Sequence, residues 1–131
     1  MVADAMAMPT GLVRLFILVL LLGPCQQAMA ADPCAEGKLR PATIVDGNKL
    51  LLKWNGTVTE GMAPAIAGEF EAHKLRTKSV ELSLQSCGGR TDYMAAVIGV
   101  LHHIKSSHKL TTVVERGAMC ASACIPIFLA S

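Results

Sequence analysis

The sequence predicts an α/β fold, a short and mainly parallel sheet with helices, carried by residues 41–131 behind an amino-terminal export signal. Three observations predict it. Residues 79–86, "SVELSLQS", alternate Val80, Leu82 and Leu84 with Glu81, Ser83 and Gln85, the period of a strand. The segments on either side, 59–74 and 94–104, place apolar residues at helical spacing instead. The strand-like runs are separated by gaps too long for hairpins, so they are expected to be joined by helical, right-handed crossovers around parallel strands.

The first thirty residues read as a signal peptide. Arg14 precedes an apolar run, Leu15 to Leu22, followed by Gly23-Pro24 and the small-residue cleavage pattern Ala28-Met29-Ala30. That run is well short of the ~18 to 20 residues needed to span a bilayer, so cleavage before Ala31 is expected over retention as an inner-membrane anchor at residues 12–24. Pro24 disfavours a lipoprotein site at Cys25. The mature chain is therefore expected to be periplasmic or secreted.

Without Arg14 and Asp4, the mature chain keeps 11 of the 12 Lys and Arg and 9 of the 10 Asp and Glu. With one Trp, one Tyr and no basic run, it lacks the electrostatic footprint of a nucleic-acid binder. About a hundred residues suffice for one small domain with a limited core.

Residues 31–40, "ADPCAEGKLR", show no periodicity and are expected to form an irregular lead-in. Asp46-Gly47-Asn48 between Thr43–Val45 and Lys49–Trp54 is a hairpin signal. Residues 59–74 put Met62, Ile66 and Phe70 four apart, with Pro64 in the first turn and Glu69, Glu71 and His73 on the polar face, which predicts a helix. The strand at 79–86 follows. Met94, Val97, Ile98, Leu101 and Ile104 then form one helical stripe, with Lys105, His108 and Lys109 at the end where positive charge suits the helix dipole. "LTTVVE", 110–115, is β-branched and predicts the third core strand.

Four cysteines remain in the mature chain, at 34, 87, 120 and 124, in a compartment that permits disulfides, and three pairings are open. Cys120-x3-Cys124 has no matching second pair of ligands, so no metal and no cofactor is expected.

Two loops fall at carboxyl ends of predicted strands, where α/β sheets place their sites. Gly88-Gly89 opens the turn after 79–86, and Ser122 sits in "GAMCASAC". Alone, the first is an ordinary strand-to-helix turn and the second a helix cap. Together, 33 residues apart and joined by one helix and one strand, they become neighbours in a right-handed crossover. Gly89 N–H and Ala123 N–H would then face a carbonyl attacked by Ser122 Oγ.

"LQSCGG", the amphipathic helix, "TTVVERGAMCASAC" and "FLA" together resemble the Clp protease/crotonase superfamily, most closely secreted or periplasmic bacterial members with a Cys-Ala-Ser-Ala-Cys segment. The resemblance covers residues 41–131. It implies a spiral of ββα units, Ser122 as nucleophile, Gly89 and Ala123 as backbone oxyanion donors, a peptide substrate, and self-association as a further partnership. Cys87 stands where such members have proline, and Pro126, four residues after Ser122, conflicts with a helix that begins before Ser122. The general base, His with Asp or else Lys, comes after the nucleophile helix in the family, so the chain reads as a truncated serine hydrolase, inactive alone. His73, His102, His103 and His108 are expected to be surface or packing residues. A non-catalytic secreted scaffold of the same fold is the alternative.

Overall fold

The computed structural model describes residues 31–131; the expected signal peptide, and the alternative anchor at 12–24, lie outside the described residues. The described chain is mixed α/β. In order it forms β1 (Lys38–Leu39), β2 (Thr43–Val45), β3 (Lys49–Asn55), α1 (Met62–His73), β4 (Ser79–Gln85), α2 (Thr91–Lys105), β5 (Lys109–Val113) and α3 (Cys124–Phe128).

The β2–β3 hairpin turns where expected. Asp46 and Gly47 both have positive φ, 52° and 75°, and Asn48 N–H donates to the Val45 carbonyl at 3.3 Å. This is the primed turn that matches strand twist, and Asp-Gly is suited to it. β3, β4 and β5 are parallel, with Lys49 opposite Ser79 and Ser79 opposite Lys109. β1 and β2 both pair antiparallel with β3.

β1 corrects the reading of 31–40 as irregular. Lys38 and Leu39 pair with Asn55 and Trp54, and Gly37 lies so close to the Trp54 ring that a β-carbon there would be 2.3 Å from it. Two residues of backbone pairing leave no periodicity to read. The other bounds move by a few residues: α1 starts at Met62, where Met62 N–H bonds the Thr59 carbonyl, and Pro64 occupies its first turn without loss of a hydrogen bond.

Leu50, Leu52 and Trp54 of β3 and Val80, Leu82 and Leu84 of β4 are buried against Met62, Ile66 and Phe70 of α1 and Val97, Leu101 and Ile104 of α2. Trp54 Nε1–H donates to the Gly56 and Thr57 carbonyls at 3.2 and 3.3 Å, so the largest core side chain leaves no polar atom unpaired. Alternate residues of the same strands are part-buried apart from the buried Ser83, and several carry charge: Lys49 Nζ lies 3.3 Å from Glu81 Oε2. On that second face Glu115 Oε1 accepts from Lys53 Nζ at 2.8 Å and from Ser83 Oγ at 3.1 Å.

The Lys53 hydrogen bond, then that of Ser83, holds the Glu115 carboxyl below its ordinary value of 4.5. A depressed folded pKa stabilises above the unfolded pKa and loses that contribution as pH falls through the folded one. Because Glu115 is more than half exposed, the contribution is at most ~1 kcal/mol after solvent screening. Thermal unfolding should therefore show Glu115→Gln slightly less stable than the parent at pH 7, with the difference vanishing as the pH falls below the carboxylate range. A difference that grew in acid would contradict the pairing.

Candidate functional site

Both predicted loops lie at the carboxyl ends of parallel strands, and two backbone hydrogen bonds stitch them together. Ser86 N–H donates to the Met119 carbonyl at 2.8 Å, and Ala121 N–H donates to the Ser86 carbonyl at 3.0 Å. These form a parallel bridge, Ser86 to Cys120, that continues the pairing of β4 with β5 past the strand ends. The expected adjacency of the two loops is thus observed.

The residue that meets Ser122 is Gly88 rather than Gly89. A β-carbon on Gly88 would lie 2.6 Å from Ser122 Cβ and 3.1 Å from Ser122 Oγ, and Gly88 has a φ of 108°. Gly89 instead turns toward Val58: the two form a parallel bridge, and a β-carbon on Gly89 would be 2.3 Å from the Val58 carbonyl oxygen. Ser86, fully buried, sets this turn by accepting from Gly88 N–H at 3.1 Å, while Val58 N–H donates to the Gly88 carbonyl at 2.8 Å.

Ser122 has a φ of 51°, one of two non-glycine residues with positive φ among the described residues. For a side chain with a β-carbon that conformation costs of order 1–3 kcal/mol and persists only where its surroundings hold it. The surroundings are Gly88 on one side and a disulfide on the other: Cys120 and Cys124 are joined across Ala121-Ser122-Ala123, with their Cα atoms 5.3 Å apart. Ser122 is exposed as a residue.

The predicted conflict with Pro126 does not arise, because α3 begins after Ser122. Cys124 N–H bonds the Ala121 carbonyl and Ile125 N–H the Ser122 carbonyl, each at 3.0 Å, and Pro126 is the third helical residue, where an N–H would have no partner. Among the described residues, neither Gly89 N–H nor Ala123 N–H donates to another backbone group. Both predicted oxyanion donors are therefore uncommitted.

The second disulfide joins Cys34 to Cys87, so each of the two loops carries one. Of the three pairings open from sequence, this one ties the lead-in to the Gly88 turn, where Cys87 N–H also donates to the Pro33 carbonyl at 2.9 Å. As disulfides, these sulfurs are not thiolate metal ligands.

Three of the four histidines are engaged elsewhere. His108 Nε2–H points at the Lys74 and Thr77 carbonyls, both at 3.0 Å, and its ring packs edge-on against Phe70. His73 Nδ1 lies 2.8 Å from the Glu69 carbonyl, and His103 Nε2 lies 3.7 Å from Glu71 Oε1. His102 is exposed on α2. Among the described residues no hydrogen bond engages Ser122 Oγ. Arg90, beside Gly89, is held in a two-point pair with Asp92 at 3.1 and 2.7 Å, and its hydrogen bonds keep the Asp92 carboxyl below its ordinary value.

The chain matches no protein-family model and no curated protein. Sequence reasoning missed Gly88 and Ser86 as builders of the site. The Gly-Gly pair was a signal, but which glycine faces the serine depends on the β4–β5 register.

Proposed function

We propose that this chain is the nucleophile-bearing part of an exported Clp/crotonase-like serine hydrolase, acting on peptide carbonyls through an acyl-enzyme. The observation that carries this reading is Ser122 itself: an exposed residue of positive φ, pinned at the carboxyl edge of a parallel sheet beside the Gly88-Gly89 turn. In such a step Ser122 Oγ attacks the carbonyl carbon, and the oxygen that becomes negative is met by Gly89 N–H and Ala123 N–H. The hydroxyl proton needs an acceptor, and no histidine of the described residues is hydrogen-bonded to Oγ. A hydroxyl without a base is a poor nucleophile near neutral pH. An oxyanion hole alone retains roughly 10³ to 10⁴-fold catalysis over water.

Peptide turnover by this chain alone should accordingly be near background, with slow acylation by a fluorophosphonate as the detectable reaction. Labelling should disappear in Ser122→Ala and persist in His102→Ala, His103→Ala and His108→Ala. Robust turnover would reveal a base in residues 31–131 and overturn the half-site. The exposed apolar side chains near Ser122, Met119 at 48%, Ile125 at 47% and Leu129 at 71%, favour a second reading, a non-catalytic scaffold that docks through this edge. Labelling indifferent to Ser122→Ala would put that reading in front.

A further inference from the structure

We infer that the Cys120–Cys124 disulfide is a redox latch on the Ser122 loop, holding the serine in its positive-φ conformation when oxidised and releasing it when reduced. The inference concerns regulation of the site proposed above and rests on that reading for its catalytic consequence, though not for the movement of the loop.

The bridge closes a ring around three residues, Ala121, Ser122 and Ala123, and Ser122 is the one with positive φ. Opening the ring leaves the loop held by Ala121 N–H on Ser86, and by the single-turn bonds of Cys124 and Ile125. Those bonds do not require a left-handed residue. Gly88 blocks one direction of movement, since its Cα faces Ser122 Cβ without a side chain between them. Pro126 blocks another: if the loop wound into extra helical turns through Ser122, the proline ring would strike the Ser122 carbonyl and offer it no N–H. The reduced loop therefore relaxes outward, carrying Oγ away from the Gly88-Gly89 turn, instead of forming a longer α3.

The two sulfurs differ in access. Cys124 is fully buried at the start of α3, whereas Cys120 is part-exposed. A dithiol reductant thus attacks through its thiolate at Cys120 Sγ, giving a mixed disulfide and releasing Cys124 as a thiolate that takes up a proton. The reductant's second thiol then displaces Cys120. The protein gains two electrons and two protons, and the reductant leaves as its own disulfide.

The test equilibrates the full chain in dithiothreitol buffers of graded poise, traps free thiols by alkylation, and reads each cysteine pair separately by peptide mass spectrometry. In the same samples, fluorophosphonate labelling of Ser122 and amide hydrogen exchange at residues 121–125 are measured. Labelling should fall about tenfold, equivalent to ~1.4 kcal/mol. Its midpoint should coincide with reduction of Cys120–Cys124 and not of Cys34–Cys87, and reoxidation should restore it. The amides of Cys124 and Ile125 should exchange about tenfold faster while those of β4 do not change. Cys120→Ala/Cys124→Ala should show the fast exchange and weak labelling at every poise. Exchange at 121–125 that ignores the state of Cys120–Cys124, or a double variant that behaves like the oxidised parent, would overturn the latch. Exchange that responds while neither form labels would uphold the latch and reject the serine nucleophile.

Discussion

Gly88→Ala is expected to destabilise the protein by roughly 2–5 kcal/mol and to abolish labelling of Ser122. The added carbon would sit 2.6 Å from Ser122 Cβ and 2.9 Å from the Ala121 carbonyl oxygen, on a residue whose φ is 108°. Neither neighbour is the far end of a flexible side chain. The glycine cannot turn away, because Ser86 Oγ holds its N–H and Val58 N–H holds its carbonyl. Relief has to come from displacing the Ala121-Ser122 segment, which breaks the site. Thermal unfolding should drop by roughly 10 °C or more for a domain of this size. Gly68→Ala in α1 and Gly99→Ala in α2 are the matching controls. Nothing lies within 4 Å of a β-carbon at either position, so each should stabilise its helix by ~0.5–1 kcal/mol. A Gly88→Ala protein as stable as these would mean that the two loops do not pack as described.

The double substitution Cys34→Ser/Cys87→Ser should cost about 4 kcal/mol, against about 2 kcal/mol for Cys120→Ser/Cys124→Ser. The difference follows from chain entropy in the unfolded state. The first bridge closes a sequence separation of 53 and the second a separation of 4. A domain whose whole stability is ~5–15 kcal/mol loses a large share with the first bridge. Hydrogen bonds soften the loss without replacing it: Thr57 N–H to the Ala35 carbonyl and Cys87 N–H to the Pro33 carbonyl, both at 2.9 Å, still tether the lead-in. Urea midpoints of the two double variants measure the contrast. Equal costs, or a larger cost for the short ring, would show that native-state contacts outweigh loop closure here.

The elements most legible in the sequence are those whose own side chains carry a period. The alternation of Val80, Leu82 and Leu84 became β4, with all three buried. Of the five-residue stripe, Val97, Leu101 and Ile104 are fully buried in α2, while Met94 and Ile98 pack at its margin. What escaped depends on partners distant in sequence. β1 exists because β3 offers an edge to two residues that show no pattern of their own. The disulfide pairing depends on where Pro33 meets the Gly88 turn. The φ of Ser122 is set jointly by a ring closure and by a glycine 34 positions earlier, and no window of local sequence contains both.

The parallel register repeats at a constant interval: Leu50 faces Val80, which faces Leu110, thirty residues on each time. Its consequence is temporal. The β2–β3 hairpin can close within about 1–10 μs, but each parallel pair must wait until a whole helix has been wound between its strands. In a chain that emerges from its amino terminus, β3 shows an unpaired edge until residue 85 is clear, and β4 does so until residue 113. Those intervals add open edges to that of β5, which among the described residues pairs with β4 alone and ends the sheet, and a chaperone that shields extended segments would act then.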